Sequence, residues 1–232
     1  DHPRPAVQSF RGRTQSIELS KGLTDGLKGL SRKEGVTLFM VLLAAFQTLL
    51  YRYTGQGDVV VGSPIANRNR SEIEGLIGFF VNTLVLRSDL SGNPSFRELL
   101  GRVRKMALEA YEHQDLPFEK LVEELQPERS LSYSPLFQVM FVLQNAPSPE
   151  LELEGLGVSR LRVGGETAKF DLTLSMHETA EGLSGSLQYN TDLFDDATIT
   201  RMLGHFATPL EGIVKEPTRR VLDLPILTEA EK

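Results

Sequence analysis

The residues with most potential for chemistry are His113-Gln114-Asp115, an imidazole and a carboxylate two positions apart. Such a pair could exchange a proton with a substrate as acid and base. Residues two apart seldom face each other, so the same stretch also reads as a helix-entry turn held by side-chain hydrogen bonds. His2, His177 and His205 stand alone. His205 interrupts an apolar helical face, where a hydrogen-bonded, partly buried imidazole is commoner than a metal ligand. Glu72, Glu74, Glu123 and Glu124 fall in polar or helical contexts, where a solvated face is the default. Gly55-x-Gly57 precedes its strand and lacks the third glycine of a dinucleotide loop. No Gly-x-Ser-x-Gly elbow exists, and Gly182-Leu183-Ser184-Gly185-Ser186 has the wrong spacing for one. The absence of cysteine removes thiol nucleophiles, disulfides and cysteine-held zinc or iron–sulfur clusters. No metal site is expected.

Any positioning of these residues depends on a chain of 232 residues, 40% hydrophobic and 24% charged, which is ample for a sizeable core. The net charge of −6 argues against a nucleic-acid partner and offers no polybasic membrane anchor. The longest apolar run, residues 38–46, is about half of a membrane span and reads as a buried helix. Asp1-His2-Pro3-Arg4-Pro5 lacks the pattern of a secretory signal, which points to a cytoplasmic location, and resembles an interdomain linker.

Prolines and arginines predict an extended start over residues 1–15, then a first strand at 16–19. Helices follow at 24–34 and 37–53, the second apolar on nearly all sides and therefore central. Val59-Val60-Val61 predicts a strand covered on both faces and limited by Gly62-Ser63-Pro64, and residues 66–74 a polar loop. Residues 79–90 predict another strand, closed by Ser91-Gly92-Asn93-Pro94. Ser95 and Glu98 have capping-box spacing, and Phe96, Leu99, Leu100, Val103, Ala107 and Ala110 recur on one helical face. A short helix is expected over 117–125, strands over 137–143, 170–176 and 183–189, and a last helix over 196–214 that Pro209 should kink or shorten. The interleaving gives an α/β class with a mixed sheet.

Three segments together resemble the condensation domains of nonribosomal peptide synthetases. Ile77-Gly78-Phe79-Phe80-Val81-Asn82-Thr83-Leu84-Val85-Leu86-Arg87 resembles the family's Ile-Gly-x-Phe-Val-Asn-Thr…Arg motif. His113-Gln114-Asp115-Leu116-Pro117-Phe118-Glu119 resembles its His-Gln-Asp-x-Pro-Phe-Glu motif. Arg129-Ser130-Leu131-Ser132-Tyr133-Ser134-Pro135-Leu136 resembles Arg-Asp-x-Ser-Arg-x-Pro-Leu, with Ser130 and Tyr133 replacing the two inner charges. Gly62-Ser63-Pro64-Ile65-Ala66-Asn67-Arg68 and Lys169-Phe170-Asp171-Leu172 also fit, with Asn67 where glycine is more usual.

The resemblance implies a mixed-sheet sandwich, one lobe of the two-lobed chloramphenicol acetyltransferase-like fold. Residues 1–15 would enter the lobe, 16–223 would form it, and 224–232 would begin a linker to an adenylation domain. The family's His-His-x-x-x-Asp-Gly motif, which belongs to the amino-terminal lobe, does not occur in this sequence. The implied reaction is amide formation between a donor peptidyl or aminoacyl thioester and the amine of an acceptor aminoacyl thioester, as in antibiotic and other secondary-metabolite biosynthesis. The implied partners are the amino-terminal lobe, donor and acceptor carrier proteins bearing the phosphopantetheine, and the adenylation domain; no cofactor is expected on this chain itself. The resemblance assigns active-site support to Arg68, as the pair of the absent motif's aspartate, and to Asn145, as a tunnel amide. A solvated Arg68, with Arg70 as its rival, and a strand-end turn at Asn145 stay open. So do an epimerisation or heterocyclisation lobe and a carrier-protein scaffold without chemistry.

Overall fold

The computed structural model describes residues 1–68, 71–144 and 166–232. Its sheet contains β1 (Gly12–Ser20), β2 (Asp58–Ile65), β3 (Asn82–Asp89), β4 (Val139–Gln144), β5 (Leu172–Thr179) and β6 (Gly182–Asn190). Their spatial order is β1-β6-β5-β4-β2-β3. The two inner pairs, β2 with β4 and β4 with β5, are parallel, and the other three are antiparallel. This is the mixed α/β sheet that the sequence predicts.

The main helices are α1 (Lys21–Glu34), α2 (Leu38–Thr54), α4 (Phe96–Glu112) and α6 (Asp196–Lys215), with shorter α3 (Ser71–Glu74) and α5 (Phe118–Leu125). Local chemistry sets their ends. Ser20 and Thr37 cap α1 and α2 by accepting the amides of Leu23 and Met40. Ser95 and Glu98 form both halves of the capping box of α4. Every residue of α2 from Met40 to Leu50 is buried, as its all-round apolarity requires. Phe96, Leu99, Leu100, Val103 and Ala107 of α4 are buried too, and join Leu84 and Leu86 of β3 in the core.

Several boundaries differ from expectation. β1 starts at Gly12 and α1 at Lys21, each earlier than predicted. β2 passes through Gly62-Ser63-Pro64, since β3 pairs with it from Asp58 to Ile65, while β4 is in register with it only at Gly62. Gly62 is also required by close approach, since a Cβ would lie 2.2 Å from the Phe137 ring. β3 starts at Asn82, and the segment expected to be loop includes the turn of α3. α6, by contrast, ends within a residue of the expected 196–214, and the buried Pro209 does not shorten it. Between β5 and β6 the hairpin lies where predicted, and Gly182 permits it with φ of 138°.

Two outer segments dock on α6. The Asp1 carboxylate accepts the amide of Asp195 and the hydroxyl of Thr198, and His2 bonds Asp195 at 3.0 Å. At the other end of the chain, buried His205 contacts Tyr53 Oη at 2.7 Å through Nδ1 and Glu231 at 2.9 Å through Nε2. The Glu231 carboxylate also accepts the amide and hydroxyl of Thr228. Those bonds, and secondarily His205, push its pKa down to about 2. Arg52 donates to the carbonyls of Val221, Leu222 and Leu224. α6 itself packs on β1 and β6.

Candidate functional site

Asn82, at the first position of β3, is 9% exposed and engages its whole side-chain amide. Nδ2 donates to the carbonyls of Gln114 and Leu116, both at 2.8 Å. Oδ1 accepts the amides of Thr83 at 2.8 Å and Phe118 at 3.0 Å. Pro117 precedes α5 and offers no capping side chain, so Asn82 serves as the cap from another strand. One side chain thereby joins the segment around residues 77–87 to the turn at 113–119. His113 is the C-cap residue of α4, its amide donating to the Ala110 carbonyl, and its own carbonyl accepts the Leu116 amide. His113, Gln114 and Asp115 thus form the connecting turn between α4 and α5. No group of three or more metal-ligating side chains occurs among the described residues.

From this turn an aromatic row crosses the structure. Phe118 lies 5.5 Å from Phe137, and Phe137 lies 5.3 Å from Phe170, centroid to centroid.

Arg68 organises the corner before β3. Its guanidinium donates to the carbonyls of Ile73 and Glu74, and to that of Gly78 at 3.5 Å, and it stacks over the Phe80 ring at 4.3 Å. Ile73 and Glu74 carry the orphan carbonyls of the short α3, which explains the helical turn inside a polar loop. Fixed between Arg68 and Asn82, the intervening strip turns apolar side chains to solvent. Ile77 is fully exposed, Phe79 91% exposed and Val81 49% exposed, with Leu76 and Leu116 nearby in sequence to the two anchors and also exposed.

The third motif forms another wall. Arg129, Tyr133 and Pro135 line an open groove of about 890 Å³ together with Glu119, Glu123 and Glu128. Ser130 and Ser132 bond through their hydroxyls at 2.7 Å, and Leu136 takes a positive φ of 66° before Phe137. A further charge reaches this motif from elsewhere in the chain. The Arg4 guanidinium pairs bidentately with the buried Asp171, bonds the Ser132 carbonyl, and lies 5.9 Å from the Tyr133 ring. Hydrogen bonding to Asp171 holds the Arg4 pKa above its ordinary value.

The structure therefore brings together Asn82, Thr83, Gln114, Pro117 and Phe118, and separately Arg68, Gly78 and Phe80. It does not bring Arg87 to either group: Arg87 sits near the far end of β3 in a bidentate pair with Asp58. Asn145 and Arg70 lie outside the described residues. Sequence reasoning missed the Arg4–Asp171 pair and the role of Phe137. The only signals were an arginine in the opening segment and a glycine in β2, neither of which names its partner.

The fold and this face define an α/β unit of the chloramphenicol acetyltransferase-like class. The model of the condensation domain matches residues 1–232, and the chain belongs to that family. Among curated relatives it is 58% identical to one of the linear gramicidin synthase subunits of Brevibacillus parabrevis and 46% identical to surfactin synthase subunit 1 of Bacillus subtilis (strain 168). Each match covers 100% of this chain, but only 3% and 6% of those relatives. Among solved structures, the X-domain from teicoplanin biosynthesis superposes with a TM-score of 0.89 at 33% identity, over 98% of this chain and 52% of that one. A four-domain nonribosomal peptide synthetase bound to AMP and glycine superposes with a TM-score of 0.87 at 27% identity, over 99% of this chain and 19% of that one. No single helix among the described residues is long and apolar enough to cross a membrane.

Proposed function

We propose that this chain is the carboxy-terminal half of a peptide-synthetase condensation domain, supplying one wall and the floor of a site whose base lies in the other half. The supporting observation is the Asn82 node. It locks two family motifs together and, with Arg68, presents the exposed strip Ile77, Phe79 and Val81 for a second lobe to cover. The relatives fit this reading, since the X-domain chain is about twice the length that this chain matches.

In the proposed reaction the amine nitrogen of an acceptor aminoacyl thioester attacks the donor thioester carbonyl. A C–N bond forms, the C–S bond breaks, the donor carrier's thiol leaves, and the amine gives up a proton. Carrier proteins deliver both reactants on phosphopantetheine arms, which makes the encounter effectively unimolecular and lowers the barrier by several kcal/mol, of the order of 7 or more for well-oriented groups. The proton acceptor belongs to the His-His-x-x-x-Asp-Gly motif, which this sequence lacks. An adenylation domain of the same synthetase loads the acceptor carrier.

The test uses two loaded carrier proteins. The chain alone should give no amide product, and the chain joined to the preceding lobe of its parent should give product that disappears when that lobe's second motif histidine is replaced. Turnover by the chain alone, or inactivity of the joined domain with every loaded pair, would overturn the proposal.

A further inference from the structure

The opening segment lies as a strap across two other parts of the chain. The Gln8 amide donates to the Leu131 carbonyl at 2.7 Å, and the Gln8 side chain to the Lys169 carbonyl at 3.0 Å. The amides of Gly12 and Ala168 bond the carbonyls of Glu166 and Phe10, both at 2.8 Å. Arg4 fastens the far end of this strap through its side chain. Its guanidinium meets both carboxylate oxygens of Asp171, a residue only 7% exposed, and reaches the Ser132 carbonyl at 3.2 Å. The third motif carries Ser130 and Tyr133 at its inner positions, so the cation that ties it to Asp171 arrives from residue 4.

Asp171 stands where several elements meet. Its amide donates to the Gln138 carbonyl at 2.9 Å, and its carbonyl accepts the Asn190 amide at 3.0 Å. The preceding Phe170 is buried and ends the aromatic row that runs through Phe137 to Phe118, whose amide Asn82 accepts. A carboxylate left buried without its cation is strongly disfavoured, so loss of Arg4 would draw Asp171 toward water and displace Phe170 with it. We propose that Arg4 is a positioning residue for amide formation: by tying the third motif to Asp171 it sets the place of the aromatic row, and through that row the Asn82 node. The inference rests on the proposed function. Arginine suits the task because its planar fork bonds a carboxylate bidentately and keeps a further donor for a carbonyl, whereas a lysine ammonium acts as a point charge.

The test separates the unpaired carboxylate from the lost tie. In the joined two-lobe domain, Arg4→Met should lower both the urea midpoint and kcat. Adding Asp171→Asn should recover most of the midpoint, since no charge is then buried unpaired. In that double variant kcat should stay roughly tenfold or more below wild type with KM within about twofold, because the reactants still arrive but are misaligned. In this chain alone, the double variant should speed hydrogen exchange of the Gln8 and Phe118 amides by about tenfold and leave the Phe46 amide within α2 unchanged. A kcat that recovers together with the midpoint, or a Phe118 amide that keeps its wild-type exchange while that of Gln8 quickens, would overturn the inference. Inactivity of the unsubstituted joined domain would overturn the proposed function instead, and the exchange experiment would still decide whether Arg4 positions the row.

Discussion

Asn82 joins two motifs through one side-chain amide. Alanine at this position leaves the carbonyls of Gln114 and Leu116 and the amide of Phe118 without their partner in a partly buried place. With about 1 to 3 kcal/mol for each buried group that water does not reach, Asn82→Ala should lose about 2 to 4 kcal/mol of stability, read as a lowered urea midpoint at unchanged slope. Asp at the same position keeps the acceptor but turns an oxygen toward two carbonyls, so Asn82→Asp should not restore the midpoint. Sequence reasoning assigns Asn82 and Thr83 to strand and loop hydrogen bonding rather than to chemistry, because short polar side chains bond readily to nearby backbone. It could not identify Gln114, Leu116 and Phe118 as partners, since they lie 32 to 36 residues away and contribute only backbone groups. Arg68 has the same character. Its partners are carbonyls of a loop that is polar in composition and silent about its own shape.

Among elements, the helices were the legible part. Capping residues and apolar periodicity are local, so α2 and α4 appear within a residue or two of their expected limits. The strands were less so, because a strand ends where its partner ends. β2 outlasts the three valines since β3 pairs with it through Ile65, and that pairing is set by residues some twenty positions later. Gly62 depends on another element too. Enlarging it drives a methyl into the Phe137 ring, which itself is held between Phe118 and Phe170. Gly62→Ala should therefore cost about 1 to 3 kcal/mol, measured by thermal or urea unfolding. Adding Phe137→Leu should recover part of the loss if the ring is the obstacle, while two independent defects would simply add.

At the scale of the whole molecule, the exposed strip and the docked end segments act differently. Ile77 and Phe79 place large apolar side chains in water on a chain of otherwise ordinary composition. The chain alone should self-associate with rising concentration in sedimentation experiments, and the double variant Ile77→Ser, Phe79→Ser should stay monomeric at the same concentrations. The docking of residues 228–231 has a pH dependence with a definite sign. The carboxyl of Glu231 titrates at about 2 when docked, below its ordinary 4.5, so its contribution is complete above about pH 4.5 and is lost as the pH falls toward 2. The Thr228 amide, followed by nuclear magnetic resonance, should keep its docked position at pH 5 and leave it near pH 2, and Glu231→Gln should remove that transition.

The arrangement of those end segments also settles where a tug on the chain is felt. Residues 1–2 hold the start of α6, and Glu231 holds its middle through His205, so both flanking stretches are moored to one helix. That helix rests on β1 and β6, whereas Asn82 stands on β3 at the opposite rim of the sheet. Five interstrand gaps separate β1 from β3, about 24 Å at the usual spacing. Arg4 adds a second mooring for the opening segment, through Asp171 and the Ser132 carbonyl, so that segment is fastened both to the α6 margin and to the third motif on the candidate face, and a tug on it is felt at both.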